Sequence, residues 1–220
     1  MGESNYTQEH RVVFDCNVYL DAGRVLGSPF SWENLNAEVA RSARLEVPHP
    51  SGSAHDSVRA LALCTSGRFA GDEPLSVWTS HHIDATVEYK AQESAVPDPI
   101  TGLHGLGWPE ADATALVSDL VLGLTRLSNG GSVGPQFPDS NPPLDHEDGL
   151  VYGACRSLAG SDPLGYVYCV TNDGGFRQAA REKRLSGHTR VLSPAQFVQL
   201  VRSARNTLAT RSMPAIRNAS

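Results

Sequence analysis

The chain is poor in cysteine, and what it has is badly spaced for a metal. Its 220 residues include four cysteines, Cys16, Cys64, Cys155 and Cys169, with no C-x-x-C pair. That excludes a small disulfide-stapled scaffold and argues against a zinc site. Three of the four lie in apolar stretches and are expected as small buried hydrophobes. Long apolar runs are also missing. None approaches the roughly 20 residues that a membrane-spanning helix needs. The first ten residues lack the basic-then-apolar pattern of a secretory leader, so no membrane partner and a cytoplasmic location are expected. There are no internal repeats, which sets aside solenoids and propellers. Basic residues are scarce in the body. Met1 to Phe176 carries nine Lys/Arg against 23 Asp/Glu, whereas from Arg177 onward there are nine Lys/Arg against the single acid Glu182. An acidic body with a basic end suggests a polyanion or an acidic partner at that end. A solvated helix face followed by a disordered tail explains the same asymmetry equally well.

What remains is an ordinary globular composition, 40% hydrophobic and 19% charged. The length suits one sizeable core. The apolar run Val12–Val13–Phe14 is too continuous for a half-exposed strand. It reads as a strand buried on both faces, as in a parallel sheet. A short helix from Val18 to Leu26 follows. A second helix begins near the cap Ser31 and runs to Arg44. A third spans Ala54 to Cys64. Leu75 to Thr79 is a buried strand. Ser80 caps a helix from His81 to Gln92, with Ile83 and Val87 facing the core. Ala111 to Leu127 is the longest helical stretch, with Leu116, Leu120, Leu124 and Leu127 on one stripe. After a Gly/Pro/Ser-rich loop with one short strand near Val133, Asp145–His146–Glu147–Asp148 opens another helix. Tyr166 to Val170 is a second buried strand. A basic helix from Phe176, a short strand Arg190 to Leu192 and a final helix from Pro194 complete the chain. Residues 1–10 are expected to be extended or disordered, 11–201 to form one domain with insertions, and 202–220 to form a basic tail. The fold class is α/β, a three-layer α/β/α sandwich around a mainly parallel sheet.

Two strands end alike, in Val-Val-Phe-Asp15-Cys16-Asn17 and Tyr-Cys-Val-Thr171-Asn172-Asp173. Adjacent parallel strands bring Asp15 and Asp173 to one sheet edge, where open α/β sheets place their ligands. The bland alternative is that Asp15 only caps the next helix. Asp145, Glu147 and Asp148 open a helix that leads into the second strand and can face the same edge. Carboxylates gathered there repel unless a cation neutralises them, and hard oxygen donors suit Mg²⁺ or Mn²⁺.

The order and spacing of these residues resembles the PIN-domain family of metal-dependent ribonucleases, over about Arg11 to Val201. Asp15 with Asn17 matches the family's first strand end. Asp148 matches its Asp-rich helix start, and Thr171–Asn172–Asp173 matches its later Thr-x-Asp. The resemblance implies endonucleolytic cleavage of RNA, with Asp15, Asp148 and Asp173 holding the cation. Asn17, Thr171 and Asp145 support them. The helix after Ser80 resembles the one that carries the family's second acid, but Thr86 stands at that position. Asp84 and Glu88 flank it, and Asp84 is taken as the fourth acid. Arg177 and Arg181, four apart on the helix after Asp173, are expected to meet RNA phosphates. The resemblance also raises a toxin role with a cognate antitoxin protein, and a homodimer.

Other residues have plainer readings. His81 and His82, beside Asp84, are metal-ligand candidates, but adjacent histidines at a helix start are more often exposed. The three tryptophans are expected as core or loop anchors. Two alternatives to the ribonuclease stay open. One is a degenerate PIN-like domain that binds RNA or a protein without cleaving. The other is an aspartate-based phosphatase with Asp15 as nucleophile, although Asn17 stands where that chemistry wants a second Asp.

Overall fold

The computed structural model of the chain describes residues 8–44, 54–97, 104–161, 165–185, 187 and 189–211. Five strands form one sheet: β1 (His10–Phe14), β2 (Leu75–Ser80), β3 (Gly131–Val133), β4 (Tyr166–Val170) and β5 (Arg190–Leu192). All pairings are parallel and the order is β3-β2-β1-β4-β5. Helices cover the sheet on both sides, making an α/β/α sandwich. On one side α1 (Cys16–Leu26), α3 (Ala54–Cys64) and α9 (Pro194–Arg211) pack together. Phe14 meets Tyr19 of α1 and Phe197 of α9 edge-on there. On the other side α7 (His146–Ser161) and α8 (Gly174–Arg181) meet through Tyr152 and Phe176. The central strands β1, β2 and β4 are mostly buried, which is why Val12 to Phe14 reads as an unbroken apolar run, while the edge strands β3 and β5 are partly exposed.

The helix boundaries follow local capping. The Ser31 hydroxyl accepts the Asn34 N–H at the start of α2 (Trp32–Arg44). Ser80 caps α4 (His81–Gln92) by accepting the Ile83 N–H. Pro194 occupies the first position of α9, where a missing N–H costs nothing. That helix runs on to Arg211, so residues placed in a tail from 202 belong in part to a helix. The N-terminal segment likewise ends sooner than expected, because His10 already pairs in β1. Residues 1–7 and 212–220 lie outside the described residues.

The stretch from Glu110 to Leu127 departs from its expected regularity. It begins as α5 (Glu110–Ala115), passes through a π-helical segment (Leu116–Val121) and ends as α6 (Leu122–Leu127). A π turn holds an extra residue, so the apolar stripe changes phase. Leu116, Leu120 and Leu124 are buried as expected, but Leu127 is 51% exposed and Thr125 is buried. No described helix is long and apolar enough to cross a membrane.

Candidate functional site

The chain reverses direction at the centre of the sheet. β1 sends its connection toward β2, while β4 lies on its other side. Such a switch point opens a crevice beyond the carboxyl ends of the strands. Phe14 pairs with Val170, so one step further Asp15 stands level with Thr171. A cleft of about 340 Å³ opens there, and Asp15, Asn17, Glu147, Asp148 and Asp173 line it.

Asp15 is buried, 5% exposed. It extends the sheet by one bond, its N–H donating to the Val170 carbonyl at 2.9 Å. Its side chain does not cap α1 by hydrogen bonding. Instead Oδ2 accepts the Thr171 hydroxyl and the Asn17 amide, each at 2.6 Å. Thr171 Oγ1 in turn accepts the Asp173 N–H at 2.9 Å. The Asn17 side-chain carbonyl accepts the Asn172 N–H at 3.1 Å. Asn17 and Thr171 therefore clamp Asp15 and tie the ends of β1 and β4 together.

Asp173 caps α8, its Oδ1 accepting the Phe176 N–H at 2.6 Å, and remains exposed. Asp145 caps α7 by accepting the Asp148 N–H at 2.8 Å. That bond fixes the helix start that presents Asp148 to the cleft. Burial pushes the Asp15 carboxyl up to about 6, with the Asp173 charge adding to it and the Thr171 hydrogen bond opposing. Burial also pushes Asp148 up to about 7, helped by the charges of Asp15, Asp145, Asp173 and Glu147. Among the described residues, none of Asp15, Asp148 and Asp173 has an ion-pair partner. Cys16 also lines the cleft, but burial first and then Asp15 hold its thiol well above the usual range. Burial therefore disfavours its thiolate, the nucleophilic form.

Helix α4 crosses the mouth of the cleft with His82, Thr86 and Lys90, at four-residue spacing. Asp84 is not among the lining residues. It accepts the Thr79 hydroxyl at 2.5 Å, next to the end of β2. Glu88 points elsewhere and accepts the Thr114 hydroxyl at 2.6 Å. Lys90 pairs with Glu93 at 2.8 Å and also feels Glu147 across the cleft. The cap and the buried pair Ile83 and Val87 set the rotation of α4 correctly. The face they leave toward the cleft is one that carries no carboxylate.

Other lining residues are absent from the sequence reading. Leu20, Asp21 and Arg24 continue the face of α1 begun by Asn17, at a 3-1-3 spacing that was a usable signal. Asp21 accepts the Asn172 amide at 2.6 Å and pairs with Arg24 at 2.8 Å. Arg177 donates to the carbonyls of Asp173 and Asn172, at 3.1 and 3.3 Å. It thus braces the turn that carries Asp173, while Arg181 lies exposed one turn further along α8.

The donor chemistry fits a hard divalent cation: several carboxylate oxygens share one cleft, and the Arg24 and Lys90 cations that also line it are paired with Asp21 and Glu93. The spacing is not that of a finished coordination shell. Among the described residues no three His, Cys, Asp or Glu side chains are grouped closely enough to hold an ion by themselves. Mg²⁺ tolerates this, since it keeps several waters and needs only one or two carboxylates beside substrate phosphates. No protein-family model matches the chain, and no significant match is found among curated proteins or solved structures.

Proposed function

We propose that the chain is a divalent-metal-dependent endoribonuclease of PIN-like type. The observation that carries the proposal is the meeting of Asp15, Asp148 and Asp173, from three separate elements, at the switch-point cleft without a cationic partner. Asp15 and Asp148 would hold Mg²⁺ or Mn²⁺, with Asp173 contributing directly or through water. When bound, such an ion neutralises phosphate charge and makes water more acidic. The protein's own part is positional. Thr171 and Asn17 keep Asp15 in one rotamer, Asp145 fixes Asp148, and Arg177 braces Asp173. Holding these acids in place before substrate arrives avoids reorganisation during the reaction. RNA is the substrate implied by the PIN resemblance, and Arg181, exposed at the end of α8, would supply a positive charge for its phosphates.

One observation favours a binding module instead: α4 offers the cleft His82, Thr86 and Lys90 but no acid. Cleavage of end-labelled RNAs of varied sequence in Mn²⁺, with and without EDTA, separates the two. A nuclease loses its activity in EDTA and in the double variant Asp15→Asn, Asp173→Asn. Equal low activity in wild type and double variant leaves the binding module.

A further inference from the structure

Asn172 stands between Thr171 and Asp173, where a Thr-x-Asp pattern leaves the residue open, yet it is held from three helices. Asn17 and Asp21 lie four residues apart on α1 and so share one face. The Asn17 side-chain carbonyl accepts the Asn172 N–H at 3.1 Å. Asp21 Oδ2 accepts the Asn172 side-chain amide at 2.6 Å, and the hydroxyl of Ser57 on α3 accepts the same amide at 3.0 Å. Ser57 in turn donates to Asp21 at 3.5 Å. From α8, Arg177 donates to the Asn172 carbonyl at 3.3 Å. Ser57 is fully buried, and Asp21 and Asn172 are half-buried. The other Asp21 oxygen, Oδ1, accepts the Arg24 guanidinium at 2.8 Å. An ionised acceptor makes the short bond from Asn172 stronger than one between neutral groups.

We infer that Asp21 and Asn172 are a positioning pair, whose hydrogen bond fixes the turn after β4 and with it the place of Asp173 at the cleft. The inference rests on the metal-dependent reading only for what Asp173 does there. The Asp173 side chain caps α8 and its N–H bonds Thr171, both close by in sequence. Asn172 carries the tie from that turn to Asp21 and to α3, two helices that belong to the packed layer behind the sheet. Asp21 lines the same cleft as Asp15 and Asp148, but it acts as a hydrogen-bond acceptor and not as a ligand to a cation. Both of its oxygens are taken by donors. An asparagine in its place still offers one oxygen to Asn172, and its amide displaces only Arg24, whose side chain is 44% exposed. An alanine offers none.

Asp21→Asn and Asp21→Ala therefore separate this role from that of a ligand. Amide hydrogen exchange of the metal-free protein, followed by NMR, reads the turn directly. Rates are taken relative to the Val12 and Val13 amides of β1, which report the whole fold. In Asp21→Ala the Asn172 and Asp173 amides should exchange roughly tenfold faster than in wild type, the loss of one charge-assisted hydrogen bond. In Asp21→Asn they should stay close to wild type. Mn²⁺ titration of the same proteins then reads the place of Asp173. Asp21→Ala should weaken binding about tenfold, as the loss of a group that orients a ligand does, and Asp21→Asn should leave it nearly unchanged. Unchanged relative exchange in Asp21→Ala overturns the pair. So does equal damage by Asp21→Asn, which would make the charge and not the bond the cause. Where wild type binds Mn²⁺, an affinity unchanged in Asp21→Ala, or lost equally in Asp21→Asn, overturns it too. A wild type that binds no Mn²⁺ but shows the expected exchange rates removes the metal reading and keeps the pair.

Discussion

Thr171 decides which way a proton points beside Asp15. Its oxygen accepts the Asp173 N–H, so its own hydrogen is free to go to Asp15. Thr171→Val removes both functions from a fully buried position. It should cost about 1–3 kcal/mol in urea denaturation, with Thr171→Ser losing much less. The two raised carboxyls make a prediction of opposite sense. Asp15 and Asp148 ionise near 3.8 in the unfolded chain but at about 6 and about 7 in the folded one. Between those values the folded state binds more protons, so their contribution to stability is full at low pH and falls as pH rises toward about 7. Metal-free protein should therefore lose Tm from this pair between about pH 4 and about pH 7. Asp148→Asn should be more stable than wild type at pH 8 by calorimetry and show a shallower decline. A parallel decline in both proteins would contradict the raised values. These acids were legible in the sequence because each follows an apolar strand or opens a helix, contexts that two neighbouring residues reveal. Lys90 was not, since which helix face meets a cleft depends on the helix lying opposite.

Along the elements, strand ends and helix caps were written locally and could be read locally. Ser31, Ser80 and Pro194 mark helix starts because the first N–H groups of a helix need a partner or none at all. The π-helical segment has no such mark. An extra residue per turn is tolerated there because it keeps Leu116, Val117, Leu120 and Val121 all buried. A regular 4-4-3 stripe ending at Leu127 cannot foresee that phase change. The consequence is measurable. Leu124→Ala should destabilise by about 2–5 kcal/mol, as a buried leucine does. Leu127→Ala should change stability by less than about 0.5 kcal/mol, since half of that side chain already faces solvent. Equal losses in guanidinium unfolding would mean the helix is regular in solution. The same reasoning applies to α4. Asp84 is held by Thr79 beside the strand end, so Asp84→Asn should lower Mn²⁺-dependent cleavage less than Asp148→Asn does.

Across the whole molecule, the described arginines of the basic C-terminal segment serve different elements. Arg190 stacks over Tyr166 at the start of β4, the end of the sheet away from the cleft. Arg205 donates to the carbonyls of Phe69, Leu63 and Arg68, fastening α9 to the turn before β2. Only Arg177 and Arg181 belong to the helix that Asp173 caps. Of the nine basic residues clustered along the sequence, Arg190 and Arg205 are thus structural while Arg177 and Arg181 lie on the helix that Asp173 caps, a division set by where the chain turns and invisible in a count of charges. An RNA bound at the acidic cleft as proposed should feel Arg177 and Arg181 more than Arg190 or Arg205. Each phosphate neutralised by a side chain releases counterions and adds about 0.7 to the slope of log affinity against log salt for a single strand. Binding of a 12-nucleotide single strand to the Asp15→Asn protein, which the proposed mechanism expects not to cleave it, measured by anisotropy over a salt series, isolates this contribution. Arg181→Gln should flatten the slope by about 0.7 and weaken binding at low salt, while Arg205→Gln leaves the slope as it is. Arg177→Gln should do more than Arg181→Gln, because it loses its own charge and also unbraces the turn that carries Asp173. An unchanged slope in Arg181→Gln would make that arginine an ordinary solvated charge. The route of the RNA would then have to be sought along α4, where Lys90 and His82 face the cleft.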